Sequence, residues 1–150
     1  MTNFDIIAFG GPQFTNTENA EIHALGVASD QVKHTSGSDR ALASHYMNAS
    51  IFVYPSKYEG FGFPPLEAMN QNCPVASSNT SSMPEIIGTA AEFFDPNSSS
   101  DISRAIEDVV YSSSRSAELV TLGQARVQNF TWEKCALETL ETYQKFIKPF

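Results

Sequence analysis

The strongest constraint in this chain is an alternation. Up to residue 95, short apolar segments that end in turn residues take turns with stretches of helical periodicity, and after Asp95-Pro96 only the helical pattern continues. The apolar segments are residues 4–9, which run into Gly10-Gly11-Pro12, then 32–35, 50–54, 74–77 and 91–94, the second of them less apolar than the rest. Each is too short for a helix, and a nearly continuous apolar run is what a parallel strand covered on both faces requires. Between them, Ser38 is a cap for a helix over 39–48 with Leu42, His45, Tyr46 and Ala49 on one face. Pro65 suits the first turn of a helix through Met69, whose Leu66, Ala68 and Met69 face the sheet. Strands and helices in alternation predict repeated βα units with right-handed crossovers, hence a doubly wound α/β domain. Beyond residue 96, Ser100 caps a helix carrying Ile102, Ile106, Val109 and Val110, and a second helix centres on Leu119 and Leu122. Thr131 caps the last, with Trp132, Ala136, Leu140, Tyr143 and Ile147 along one stripe. Residues 98–100 and 112–114, rich in serine, read as linkers between elements.

The length of 150 residues suits one domain that buries a single core without disulfide or metal staples. Nine basic against 17 acidic residues, a formal net charge of −8, leave no electrostatic footprint for a phosphate backbone. Nucleic acid is therefore excluded as a partner, and an anionic ligand must be held locally. No apolar run approaches the roughly 18 to 20 residues of a membrane span. Met-Thr-Asn-Phe-Asp at the start carries no cationic segment ahead of a hydrophobic one, so the expected compartment is the cytoplasm. Cys73 and Cys135 are too few for a disulfide framework or a zinc site built on cysteine; both lie among apolar neighbours and are expected to be buried and inert.

In an open parallel sheet, ligands bind beyond the carboxyl ends of the strands, so the loops that follow strands are where chemistry belongs. One such loop, Tyr54-Pro-Ser-Lys-Tyr-Glu-Gly-Phe-Gly-Phe-Pro-Pro-Leu-Glu67, passes through a glycine pair and enters a helix, with two carboxylates eight positions apart. Gly60 and Gly62 let the backbone approach a ligand and turn its amide hydrogens outward, while the start of the helix adds partial positive charge. Together they suit a diphosphate or sugar oxygens. Glu67, about one turn into the helix, points back toward the same mouth and can accept hydrogen bonds from a ribose diol. Glu59, ahead of the glycines, can accept from a second hydroxylated group. The plain alternative is a carboxylate that only favours the helix dipole and a solvated loop residue.

The complete string resembles the retaining glycosyltransferases of family four, which have the GT-B architecture and a Glu-x7-Glu signature in their C-terminal, donor-binding domain. Glu59-Gly-Phe-Gly-Phe-Pro-Pro-Leu-Glu67 matches it, with Tyr54-Pro-Ser upstream, then Cys73-Pro-Val-Ala-Ser-Ser-Asn, Met83-Pro-Glu-Ile-Ile-Gly and a closing Asn129-Phe-Thr-Trp-Glu. The resemblance covers residues 4–143. It implies a Rossmann-like fold and transfer of a glycosyl group from a nucleotide diphosphate sugar to an acceptor hydroxyl, with retention and without a metal or other cofactor. It places Glu67 on the ribose and Glu59, the catalytic candidate, on the transferred sugar. Gly60, Phe61, Gly62 and Phe63 present amides to sugar and diphosphate, with Gly11 among the donor contacts. Main chain near residues 33–35 touches the base, which makes His34 a contact candidate, although a lone histidine more often serves packing. Glu85 is balanced between a site role and a favourable charge in a first turn. Glu59 is not read as a nucleophile; the paired carboxylates of a retaining glycosidase, about 5 to 5.5 Å apart, are a different arrangement. Amides fixed around the departing diphosphate are the implied source of catalysis.

Measured against that family, the acceptor-binding domain and the first βα unit, with its Gly-Arg turn and lysine, have no counterpart here, so residues 1–150 correspond to a partial donor-binding domain. In the strand order 3-2-1-4-5-6 that first strand is central. The expectation is closure of the gap, or pairing of the open edges with a complementing chain or in a homo-oligomer. The acceptor, a saccharide, lipid or other hydroxyl compound, belongs to the absent half, and so does any peripheral membrane contact. The aromatic face of the last helix, which in the family packs toward that half, is expected to be partly exposed. Turnover by the chain alone is not expected. The competing function is a non-catalytic nucleotide-sugar-binding or interaction module.

Overall fold

The computed structural model describes residues 4–28 and 30–147, in two compact units, one ending at His45 and the other starting at Tyr46. In the first, the apolar run after Asp5 forms β1 (Ile6–Phe9), which pairs in parallel with β2 (Val32–Thr35) from Ile6 opposite Val32 to Phe9 opposite Thr35. Between them lies α1 (Asn16–Ala24), a helix with no buried residue. Apolar periodicity gives no hint of it. Its signal is a capping box: Thr15 Oγ1 accepts from the Glu18 N–H at 3.2 Å, and Glu18 accepts from the Thr15 N–H at 2.7 Å. The expectation that β1 is covered on both faces fails, since Ile6 is 59% and Ile7 41% exposed. A ladder of two strands beside a polar helix has too little apolar surface to cover them. On α2 (Asp39–Asn48), only Tyr46 of the expected inward face is buried.

The second unit is built on β3 (Phe52–Tyr54), β4 (Val75–Ser78) and β5 (Glu92–Phe94), all parallel and in that order. Phe52 lies opposite Val75, and Ser78 opposite Phe94. The crossovers are α3 (Phe63–Asn70) and the short α4 (Met83–Ile87). Leu66, Ala68 and Met69 are buried, as their spacing predicts. Two long helices follow, α5 (Ser99–Val110) and α6 (Ser113–Val127). One part of the core joins Ala76, Phe94 and Ala105, with Ile51, Val53 and Ile102 packed against them.

The expectation was closure of the gap or pairing of the open edges with another chain; closure is not found, since the five strands form one sheet of two and another of three, with no ladder joining these among the described residues. A ladder between β1 and β3 needs strands about 4.8 Å apart, and no such pairing forms among the described residues. The serine runs are caps and first turns instead of linkers. Ser98, two residues before the expected cap, is extended and its Oγ accepts from Asp101 N–H at 3.2 Å. Ser112 does the same for Arg115 at 3.2 Å.

Helix α6 lies close on α3 because residue 123 is glycine: a Cβ there would stand 2.9 Å from Met69 Cγ and 3.2 Å from its Cβ. These atoms are near the Met69 backbone, so the helix itself must move. Gly123→Ala gains about 1 kcal/mol of helix propensity and loses about 1–3 kcal/mol to overpacking. A net destabilisation of about 1 kcal/mol is expected in thermal denaturation, and a stabilised variant would show that the two helices part freely.

The last helix, α7 (Trp132–Phe146), is capped by Thr131, whose hydroxyl accepts from Lys134 N–H at 3.1 Å. None of its residues is buried, and its aromatic stripe is open, with Trp132 at 82% exposure. Cys135 is exposed on this helix, against the expectation of burial, because nothing among the described residues covers it. Cys73 is buried, and burial pushes its thiol up to about 11, which keeps it protonated and inert. No described helix is long and apolar enough to cross a membrane.

Candidate functional site

Parallel pairing of β3 with β4 brings their two carboxyl-end loops side by side, and hydroxyl groups stitch them together. Ser78 Oγ donates to Ser56 O at 2.6 Å, and Thr80 Oγ1 donates to Lys57 O at 3.1 Å. Ser81 Oγ donates to Glu59 O at 2.7 Å and accepts from Glu59 N–H at 3.2 Å. Ser82 Oγ lies within donating distance of Glu59 O at 3.0 Å and Phe61 O at 2.9 Å. Thr80, Ser81 and Ser82 were passed over in the sequence. The available signal was a run of hydroxylated residues, 77–82 interrupted only by Asn79, that starts in the last two residues of a strand and continues past its end.

This frame fixes Glu59. Tyr54 Oη donates to its Oε1 at 2.7 Å and Ser56 Oγ to the same oxygen at 2.9 Å. The Tyr54 bond first, then the Ser56 bond, holds the carboxyl below its ordinary range, so Glu59 is an anion at neutral pH and serves as a hydrogen-bond acceptor. Tyr54 shifts the opposite way: burial, then the bond to Glu59, pushes its hydroxyl up to about 12. Neither Tyr54 nor Ser56 was foreseen as a partner. Glu67 is exposed on α3. Its charge acts on Tyr46, whose hydroxyl is pushed up first by burial and second by that carboxylate. Tyr46 stands edge-on to Phe52 at 5.0 Å, and Phe52 is 5.8 Å from Tyr54. One aromatic row thus runs from the neighbourhood of Glu67 to the hydroxyl that holds Glu59.

Gly62 is the N-cap of α3 at φ 105° and ψ 64°, with no side-chain cap. Pro64 and Pro65 have no N–H, so among the first three helical positions only Phe63 offers one. Among the described residues, the N–H groups of Gly60, Phe61 and Gly62 make no hydrogen bond. Gly60 is exposed and Phe61 half-buried, whereas Gly62 is buried, so the first two are the donors nearer the surface ahead of the helix. Of the two glycines only Gly62 has positive φ, and a Cβ at Gly60 would meet nothing within 4 Å. The Phe61 and Phe63 rings lie 4.9 Å apart with a tilt of 43°, and Phe130 meets Phe61 edge-on at 5.7 Å.

The remaining candidates lie elsewhere. Gly11 is an exposed residue with φ 66° in the turn after β1, and His34 Nε2 is 3.0 Å from Gly10 O in the same unit. The His34 ring stands edge-on to Phe14 at 6.0 Å. Glu85 is exposed in the first turn of α4, and its carbonyl accepts from Arg126 Nη2. The structure thus carries Glu59, Gly60, Phe61 and Gly62 on one braced loop that enters α3 at Phe63, with Glu67 about one turn into that helix, and it keeps Gly11 and His34 in the first unit.

Residues 2–126 match the family described as Glycosyl transferases group 1. O-antigen chain mannosyltransferase B of Escherichia coli is 41% identical over 106 residues, which is 71% of this chain and 28% of that protein. The chain therefore spans less than a third of the length of that relative. The C-terminal domain of a group 1 glycosyl transferase, LpcC of Francisella tularensis, is 25% identical with a TM-score of 0.64, over 75% of this chain and 60% of that one. HepE of Anabaena, solved in complex with UDP, superposes with a TM-score of 0.81 at 19% identity, over 95% of this chain and 41% of that one. The fold is the α/β fold of the C-terminal, Rossmann-like domain of GT-B glycosyltransferases. On the match to residues 2–126, the chain belongs to the group 1 glycosyl transferases.

Proposed function

We propose that this chain is the donor-binding part of a retaining glycosyltransferase, which moves a sugar from a nucleoside diphosphate to an acceptor hydroxyl. The observation that carries the reading is the loop 59–63, where the unbonded backbone N–H groups of Gly60 and Phe61 directly follow a braced, ionised Glu59. The amides suit a diphosphate, whose charge grows as the glycosidic bond lengthens. Glu59 accepts from hydroxyls of the transferred sugar and Glu67 from the ribose, which keeps the Glu-x7-Glu motif in a binding role. Glu59 is poorly suited to proton transfer because its carboxyl is held low. The reading calls for no metal. HepE, which binds UDP, and the mannosyltransferases among the relatives support a nucleotide-sugar donor. Donor contact by Gly11 and His34 is a separate proposal for the first unit, as is an acceptor held by a further domain.

Glu67→Gln is expected to weaken nucleoside diphosphate binding by about 1.5–3 kcal/mol, the range for a hydrogen bond to a charged acceptor. Glu59→Gln should weaken intact nucleotide sugar more than the diphosphate alone. Titration calorimetry with UDP, GDP and ADP and with UDP-glucose, GDP-mannose and ADP-glucose reads both effects. Equal losses on both ligand classes would contradict the division of labour. A second reading, an interaction module without turnover, is favoured by the uncovered stripe of α7. A thermal shift by any of these nucleotide sugars argues for the donor site, since only a ligand of the folded state raises apparent stability; a silent panel favours the second reading.

A further inference from the structure

We propose that Ser81 is a positioning residue which sets the backbone of Glu59 for sugar recognition, and that its strained conformation persists because of that contact. Among the described residues, two without glycine's freedom have positive φ: Asn72 at 60° and Ser81 at 56°. Asn72 sits just past the end of α3, next to its cap Gln71, where asparagine commonly takes this conformation. Serine has no such preference, and left-handed backbone is costly for an L-residue with a Cβ. What Ser81 gains is a two-point grip, because its hydroxyl accepts from the N–H and donates to the C=O of one residue, Glu59. Ser82 adds a second donor at Glu59 O. The Glu59 side chain is fixed independently by Tyr54 and Ser56. Backbone and carboxylate are therefore set from different elements, so the backbone grip can be removed while the carboxylate keeps its partners. Strain at a loop that faces a candidate site, held by surrounding bonds, is the pattern of a residue kept for position and not for stability.

The proposal rests on the reading of Glu59 as the sugar contact, and its test separates the two. Ser81→Gly and Ser81→Ala, in the full chain, both lose the hydroxyl, but only glycine is relieved of the backbone strain. Ser81→Gly is expected to melt above Ser81→Ala. Both should show about five- to tenfold faster amide exchange at Glu59, measured by NMR without ligand, as one hydrogen bond is lost. Both should lose affinity for UDP-glucose, GDP-mannose or ADP-glucose, whichever the unaltered chain binds, by the same five- to tenfold, roughly, relative to the matching diphosphate. Binding that follows the melting order, glycine above alanine, would assign the hydroxyl to stability alone and overturn the proposal. Should the unaltered chain bind none of these probes, the sugar reading of Glu59 fails. Exchange at Glu59 then decides the grip by itself: unchanged protection overturns it and accelerated exchange upholds it.

Discussion

Gly62→Ala is expected to cost the fold about 2–5 kcal/mol and to abolish nucleotide-sugar binding. Two independent effects add. At φ 105° and ψ 64° the backbone lies outside the regions open to residues with a Cβ, a penalty of about 1–2 kcal/mol. A Cβ at this position would also stand 2.3 Å from Met83 Cε and 3.1 Å from Met83 Sδ. A thioether is adaptable, but Met83 is fully buried and has little room to swing aside, so overpacking adds about 1–3 kcal/mol. The consequence for binding follows from position. Gly62 caps the helix that holds Glu67 and directly follows the unbonded donors of Gly60 and Phe61, so any relaxation of the clash shifts the loop on which binding depends. Urea denaturation measures the first effect and calorimetry with the donor panel the second. The double variant Gly62→Ala with Met83→Ala separates strain from clash through a mutant cycle: the clash disappears and the strain remains. An alanine variant with unchanged melting and binding would mean that the loop does not take this path.

What the residues disclosed in advance depended on whether their role has a period. The runs at 52–54 and 75–78 are half-buried and buried along their whole length, and Leu66 and Met69 follow the helical period; burial of either kind leaves a pattern in sequence. Glu59 and Glu67 were readable because a loop between strand and helix sets their spacing along one stretch of chain. Helix α1 was not, because its nine residues bury nothing and its identity lies in the reciprocal bonds of Thr15 and Glu18. Tyr54, Ser56, Ser81 and Ser82 were missed for another reason. A hydroxyl is compatible with almost any environment, and its partner here depends on the register that puts Tyr54 opposite Ser77 and so aligns two loops more than twenty residues apart. The stripe on α7 was readable as amphipathic, yet periodicity names only the face to be covered and never the surface that covers it.

Arg126→Ala is expected to destabilise the chain by about 2–4 kcal/mol and to loosen the candidate site from a distance. The guanidinium donates through Nε to Ile86 O at 2.7 Å and through Nη2 to Glu85 O, which are carbonyls of a helix only five residues long. Each charge-assisted bond is worth roughly 1.5–3 kcal/mol when its loss leaves an acceptor unsatisfied, less where water replaces it. The same group lies over the Phe130 ring at 5.0 Å, and cation–π contact at a partly exposed site adds about 0.5–1 kcal/mol. Phe130 in turn supports Phe61. At its other end, α4 begins directly after Ser82, whose hydroxyl reaches Glu59 O and Phe61 O. Removing the arginine therefore acts on the loop along two routes, through the seat of α4 and through the Phe130 ring. Arg126→Lys retains charge but not the planar fork, so it should lie between the two in thermal denaturation. A drop in melting temperature of roughly 4–16 °C is expected for alanine, with donor affinity reduced in the same order, alanine below lysine below arginine. If alanine at this position melts like the unaltered chain, buried Met83, Ile86 and Ile87 anchor α4 by themselves and Arg126 has no part in shaping the site.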